Sequence, residues 1–295
     1  MKSLLRSLTP PLMYQVMHGI KTKLSHTPEY SQYRIGQYVI NLPAGHPLPE
    51  NQAACRLYDR FLPILCSQLS PGGVIVDVGA NIGDTVAAIM QACANRIIAI
   101  EGYRPYFDIL LRNLSEIDKD HRVIPVCALV GPGARTGSLV ASGSTAIFTD
   151  GGSEEMRPLD GILANWLDQV VLLKVDTDGL DADVISSGMN MIKSSQPMLF
   201  WEGGTSDATS FRDLYKKLDA AGYDLFWVFD NFGNLMLSEC GIKELTDLDS
   251  YVVSQYRNRC TRTIFYVDVL ASTLKTRVAA RGAIAKYKRE VIEVT

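Results

Sequence analysis

Hydrophobic positions along the chain change period several times, and each change marks an element. Short continuous apolar runs lie at residues 74–78, 97–100, 123–130, 171–175, 198–201 and 223–229, and a last one, "TIFYVDVL", at 263–270. Between most of them apolar residues recur every three to four positions. That spacing predicts helices over 85–93, 105–117, 159–167, 179–192, 211–221 and 243–256, with Gly222 as a C-cap. Continuously apolar strands separated by helices predict an α/β fold with a parallel sheet covered on both faces. Before residue 70 the pattern is mixed. It predicts a short helix over 14–24, a strand or hairpin in "YRIGQYVINLP", a loop in "LPAGHPLPE" and a helix over 53–69 carrying Leu57, Phe61, Leu65 and Leu69. Pro71-Gly72-Gly73 then breaks the chain. The organisation expected is a cap over 1–70, a main domain over 71–271 and a basic tail helix over 272–295.

The first strand after the break runs into "VIVDVGANIGDTVAAI", residues 74–89. In an open α/β sheet ligands bind beyond the carboxyl ends of the strands, near the point where strand order reverses. Gly79 and Gly83 are expected to let the backbone turn and approach a ligand with no Cβ in the way. The next strand ends in Glu101, 22 residues after Gly79, which suits a carboxylate accepting hydrogen bonds from both hydroxyls of a ribose. A nicotinamide dinucleotide fingerprint would put glycine where Asn81 stands, and Asp84 opens the helix. A side chain in the gap and an acid at the helix start both disfavour a pyrophosphate. Neither disfavours S-adenosyl-L-methionine, a nucleoside without phosphate that carries a sulfonium and an ammonium. Asp77, at the strand tip, is placed to reach that ammonium directly or through water.

Four segments in order, "VDVGANIGDT", "IIAIEGYRPYFDILLRNL", "PLDGIL" and "LLKVDTDGLDADVISSG" followed by "PMLFWE", together resemble the FkbM-type methyltransferase family. The resemblance covers residues 74–202 and continues weakly to about 270. It implies the class I methyltransferase fold, a Rossmann-like, mostly parallel seven-stranded sheet with its last strand antiparallel. The activity implied is methyl transfer from S-adenosyl-L-methionine, usually to a hydroxyl oxygen of a sugar, saccharide or natural product. Asp77, Gly79, Asn81 and Gly83 match the family's cofactor loop and Glu101 its ribose-binding acid. Two departures stand out. The family usually has proline directly after that acid, whereas Gly102 and Tyr103 intervene here before Arg104-Pro105, placing Tyr103 to stack at the adenine edge. Its "K-x-D-x-E-G" reads "KVDTDG", with Asp178 one methylene shorter than glutamate.

In "LLKVDTDGLDADV", Lys174 and Asp176 alternate along a strand and point the same way. A charged pair near the end of an apolar strand is costly unless paired or functional. Transfer to a hydroxyl requires removal of a proton, so Asp176 or Glu202, the acid ending the following strand, is a candidate general base, and Lys174 a candidate for orienting it. A divalent ion bridging Asp176 and Asp178 is a rival reading, ranked lower because Asp178, Asp181 and Asp183 have a simpler role at a helix N-terminus. No metal site is therefore expected. Phe200 and Trp201 are candidates to line an acceptor pocket, while 226–229 reads as core. His46 and His121 have no spacing that assigns them a role.

Composition narrows this only slightly. A net charge of −3 gives no electrostatic reason to expect nucleic acid. The six cysteines are scattered without C-x-x-C or zinc-like spacing, as in reduced cytoplasmic proteins. No segment approaches the roughly 18 uninterrupted apolar residues of a membrane span, and Pro10-Pro11 cuts short the apolar N-terminus. The basic tail reads as the solvated face of a terminal helix. The partner expected is a small-molecule or saccharide acceptor. Two readings compete with the methyltransferase: a nicotinamide-dependent oxidoreductase or epimerase, and a non-catalytic member of the same fold.

Overall fold

The computed structural model describes residues 30–203, 208–257 and 264–293; the helix expected over 14–24 lies outside them. The apolar runs become strands because each is flanked by turn residues and too short for a helix. They are β3 (Val74–Val78), β4 (Arg96–Glu101), β5 (Val123–Cys127), β9 (Val170–Val175), β10 (Met198–Gly203), β11 (Tyr223–Asp230) and β13 (Val267–Thr273). One eight-stranded sheet holds them in the order β12-β11-β13-β10-β9-β3-β4-β5. β5, β4, β3, β9 and β10 are parallel, and β13 inserts antiparallel between β10 and β11. This is the mostly parallel class I methyltransferase sheet with its last strand reversed. An eighth strand, β12 (Leu235–Cys240), is added at the edge by a hairpin whose turn is capped by Asp230, which accepts from the backbone of Phe232 and Asn234.

Alternation along each strand sorts side chains onto two faces. Val74, Val76 and Val78 of β3 join one core with helices α5 (Leu159–Ile162), α6 (Asp181–Ser186), α7 (Met189–Ser195), α8 (Ala208–Ala220) and α9 (Ile242–Arg257). Ile75 joins the other, with α2 (Phe61–Cys66), α3 (Asp84–Ala92), α4 (Arg104–Ile117) and α10 (Arg277–Tyr287). The segment before β3 covers this second face. A hairpin of β1 (Tyr30–Ile35) and β2 (Tyr38–Pro43) buries Ile40 and Leu42 there, followed by α1 (Leu48–Ala54) and α2.

The structure departs from the periodicity in four places. The stretch 53–69 is not one helix, because Asp59 adopts a left-handed φ of 58° and separates α1 from α2. The helix expected over 179–192 divides at Ser187-Gly188. The Ser187 hydroxyl accepts from the Leu159 backbone, and a Cβ on Gly188 would lie 2.9 Å from the Leu159 side chain. The run 123–130 leaves the sheet after Cys127, and the helix expected over 159–167 stops at Ile162. A small antiparallel sheet of β6 (Thr136–Ser142), β7 (Thr145–Asp150) and β8 (Glu154–Glu155) was not foreseen, since its residues are largely polar and half-exposed.

The tail forms α10 and a following π-helical turn over Lys288–Ile292. Its cations are engaged locally: Arg277 with Asp224, Arg281 with Glu239, Arg289 with Glu290, Lys286 with the Ser67 hydroxyl and Lys275 with the Ser195 carbonyl. No helix among the described residues is long and apolar enough to cross a membrane.

Candidate active site

Strand order reverses between β3 and β9, and a crevice of about 310 Å³ opens there at the carboxyl ends of the strands. The turn from β3 into α3 forms its floor. Gly79 and Ala80 both donate their backbone N–H to the Ile100 carbonyl, at 2.9 and 3.0 Å, and Gly83 donates to Ala80. The carboxylate of Glu101 completes the turn, accepting from the Asn81 backbone at 2.9 Å and the Tyr103 backbone at 2.6 Å. These bonds hold the backbone N–H groups of Gly79, Ala80, Asn81 and Gly83 within the turn. Glu101 is only 7% exposed. Burial pushes its carboxyl up, the two backbone donors pull it back, and the net direction is upward.

The glycines make the expected tight turn, but protein rather than open space faces their missing side chains. A Cβ on Gly79 would stand 1.8 Å from the Asp176 carbonyl, and one on Gly83 would stand 2.7 Å from Leu110. Both also hold positive φ, 81° and 91°. The space they leave is filled by protein, so they close the turn rather than clear a path for a ligand. Asn81, itself left-handed at φ 48°, lines the crevice and donates its amide to the Ser144 carbonyl at 2.9 Å. Its Oδ1 and the Thr177 hydroxyl are buried without a hydrogen-bond partner on this wall. Tyr103 is set back from the crevice, its ring edge-on to Tyr106 with 4.9 Å between centroids, and Tyr106 takes the wall position. Gly102, Ala128, Leu129 and Leu139 form the apolar wall beside it.

Asp77 and Lys174 are register partners on adjacent parallel strands and point to the same face. Lys174 Nζ lies 3.0 Å from Asp77 Oδ1 and 3.4 Å from Asp176 Oδ2, and 3.3 Å from the Gly79 carbonyl. Burial alone would lower the Lys174 pKa, but Asp77 and Asp176 more than offset this and hold it well above its usual value. Burial pushes the Asp77 carboxyl up and Lys174 opposes that shift. A 3.0 Å contact between a fully buried carboxylate and a nearly buried ammonium is an ion pair. Asp77 is therefore enclosed beneath the turn, whereas Asp176, whose side chain is 49% exposed, faces the crevice.

The remaining acids separate by role. Asp181 is fully buried and accepts from the Thr177 and Gly179 backbone, so it fastens the loop before α6. Burial, followed by Asp176, pushes it up to about 7. Asp183 pairs with Arg135 at 3.2 Å. Asp178 reaches across to the hydroxyl of Thr145 at the start of β7. Glu202 lines the crevice directly opposite Asp268 in the antiparallel register of β10 and β13. Burial raises both carboxyls well above the usual range, and Asp176 adds to each. Asp59 is exposed at the mouth, and the neighbouring Asp84 and Asp176 push its carboxyl up.

Asp268, Asp59, Tyr58 and Tyr266 escaped the sequence reading. Asp268 had a signal, since a charge inside the apolar run "TIFYVDVL" is the same anomaly that singled out Lys174. Asp59 had none, because it arrives through a break in an apparently helical stretch. His46 also reaches the crevice; its Nδ1 accepts from the Leu48 backbone at 3.3 Å, and burial lowers its pKa against the pull of Asp84 and Glu50. Among the described residues no cluster of three or more His, Cys, Asp or Glu side chains is arranged to hold a metal ion.

The wall as a whole carries the carboxyls of Asp59, Asp84, Glu101, Asp176, Asp178, Glu202 and Asp268, and no lysine or arginine among the described residues. Such a surface repels a pyrophosphate and suits a cationic, phosphate-free nucleoside. The buried carboxylate of Glu101 and the unpartnered Asn81 and Thr177 atoms fit that group.

Residues 77–225, half of the chain, match the family model described as the methyltransferase FkbM domain. No curated protein matches. Among solved structures, a TYW2 protein of M. jannaschii in complex with AdoMet is 11% identical, with 85% of this chain and 90% of that chain covered and a TM-score of 0.45. A putative transferase from Pyrococcus horikoshii gives 11%, 84%, 73% and 0.47 for the same quantities. A methyltransferase FkbM from Methylobacillus flagellatus KT gives 14%, 76%, 58% and 0.37.

Proposed function

The chain belongs to the FkbM methyltransferase domain family, and from that premise we propose that it transfers a methyl group from S-adenosyl-L-methionine to a hydroxyl oxygen of a sugar, saccharide or natural product. The observation that carries this reading is the crevice itself: a buried carboxylate suited to a ribose, Glu101, at the tip of β4, in a wall of carboxyls with no lysine or arginine among the described residues. When bound, S-adenosyl-L-methionine supplies an electrophilic methyl on sulfur and leaves as the thioether. Glu101 keeps lone pairs free beside its two backbone bonds and holds the ribose hydroxyls. Tyr106, Leu139 and the backbone after β5 flank the base. Asp77 does not touch the nucleoside; it fixes Lys174, which in turn positions Asp176.

On the acceptor side Asp176 accepts a hydrogen bond from a substrate hydroxyl and orients it. The facing Glu202 and Asp268 take the proton as the acceptor oxygen bonds to the methyl carbon and the carbon–sulfur bond breaks. Burial, then the nearby Asp176, raises both carboxyls; one member is the base, and a raised pKa makes its ionised form a stronger one. The rate is then low while both are protonated and rises with pH as the first of them ionises. Replacement of Glu202 by Gln lowers kcat about 100-fold or more, with little change in cofactor affinity.

Isothermal calorimetry with S-adenosylhomocysteine tests the cofactor assignment. Glu101→Ala removes hydrogen bonds to a charged group worth about 1.5–3 kcal/mol, a loss of roughly 10- to 150-fold in affinity. Tighter binding of NADH than of S-adenosylhomocysteine would favour the oxidoreductase instead.

A further inference from the structure

A second cavity, of about 490 Å³, lies beside the crevice on the face covered by the cap. Leu57, Phe61 and Ile64 line it from the cap, Ala88 from α3, and Phe200 and Phe229 from the sheet. Phe200 sits in β10, between β9 and β13 in the middle of the sheet, yet it remains only half-buried. An aromatic ring at the centre of a sheet is normally closed over by the covering layer, so here that layer leaves room for something apolar. The two cavities meet, since Asp59, Asp84, Asp176 and Asp268 line both. Each volume is of the size that takes a small-molecule ligand.

Given methyl transfer in the first cavity, we propose that the second holds the apolar body of the acceptor, and that the acceptor is amphipathic: a hydroxyl-bearing head without negative charge at the shared acids, joined to an alkyl or aromatic portion against the half-buried Leu57, Ile64, Ala88 and Phe200. The acids at the junction disfavour a phosphate or sulfate head there by like-charge repulsion in a partly desolvated site, while the cations that line the second cavity, Arg34, Arg60 and Lys174, lie outside the set shared by the two cavities. The apolar part of the chamber takes the rest by burial of apolar surface.

The test is calorimetry of the full chain with methyl, hexyl and octyl glucoside, each below its micellar concentration, with and without saturating S-adenosylhomocysteine. The affinity tightens about fourfold for each methylene between hexyl and octyl, and octyl sulfate binds at least about tenfold more weakly than octyl glucoside. Ala88→Phe and Ile64→Trp fill the chamber from two different lining helices, α3 and α2. Either flattens the chain-length series and leaves S-adenosylhomocysteine affinity within about twofold of wild type, which also reports that the variant is folded. Absence of octyl glucoside binding, an affinity independent of chain length in the wild type, or a dependence that survives both variants overturns the proposal. Failure of S-adenosylhomocysteine to bind overturns the methyl-transfer reading instead, and the chain-length series remains measurable without it.

Discussion

Lys174 carries a full charge inside a strand whose neighbours are all apolar, and its partners explain how. Asp77, 97 residues away along the sequence, is brought opposite it by the β3–β9 pairing. Removing one member of a buried pair leaves the other uncompensated. Lys174→Met is expected to cost about 3–5 kcal/mol of stability by denaturant unfolding, and the double variant Asp77→Leu with Lys174→Met to recover most of that loss. The period of two was enough to place Lys174 and Asp176 on one face. The partner was not legible, because the register between distant parallel strands is a tertiary property. The same limit explains the glycines. Their presence and the turn were readable, but the atoms that forbid a Cβ, the Asp176 carbonyl and Leu110, come from elsewhere in the chain.

At the scale of elements, the β6–β7 hairpin does what no apolar run announced. Its tip is fastened at three points on the crevice: Asn81 to the Ser144 carbonyl, Tyr106 to the Gly143 and Thr145 carbonyls, and Thr145 to Asp178. Those points bracket the cofactor loop, so the hairpin restrains whatever lies beneath it. Thr145→Val removes one tie whose net worth is about 0.5–1.5 kcal/mol. It is expected to speed S-adenosylhomocysteine dissociation roughly 2- to 10-fold in stopped-flow measurements. The strands that build the sheet were legible because their apolar content overrides local ambiguity. The hairpin was not, since half-exposed polar strands carry no comparable signal. The division of 179–192 into α6 and α7 was hidden for another reason: a helix-compatible sequence is interrupted by packing of Leu159 against Gly188.

Across the whole molecule, the acidity of the crevice opposes folding stability. Asp181 is raised to about 7, and Asp59, Glu202 and Asp268 also stand above the usual carboxylate range. Between about pH 4, where such groups titrate in the unfolded chain, and pH 7, the native state holds more protons than the unfolded one. Stability therefore falls as pH rises through that window, and the penalty is fully present above it. Thermal unfolding is expected at a lower temperature at pH 7.5 than at pH 5, and Asp59→Asn is expected to flatten part of the slope. Activity runs the other way, rising with pH as the Glu202–Asp268 pair ionises. The succession of strands and helices was readable from periodicity, and the rule that ligands bind beyond the carboxyl ends of the strands pointed to the crevice. The convergence of acids from the cap, β9, β10 and β13 on one opening was not, because they are neighbours only once the sheet closes.

The most direct measurement is a crystal structure with S-adenosylhomocysteine bound. The account predicts the nucleoside over the tip of β3, both ribose hydroxyls within hydrogen-bond distance of the Glu101 carboxylate, and the sulfur turned toward Asp176, Glu202 and Asp268. A nucleoside bound elsewhere on the molecule, or one whose ribose is held by other residues while Glu101 serves only the turn, would contradict it.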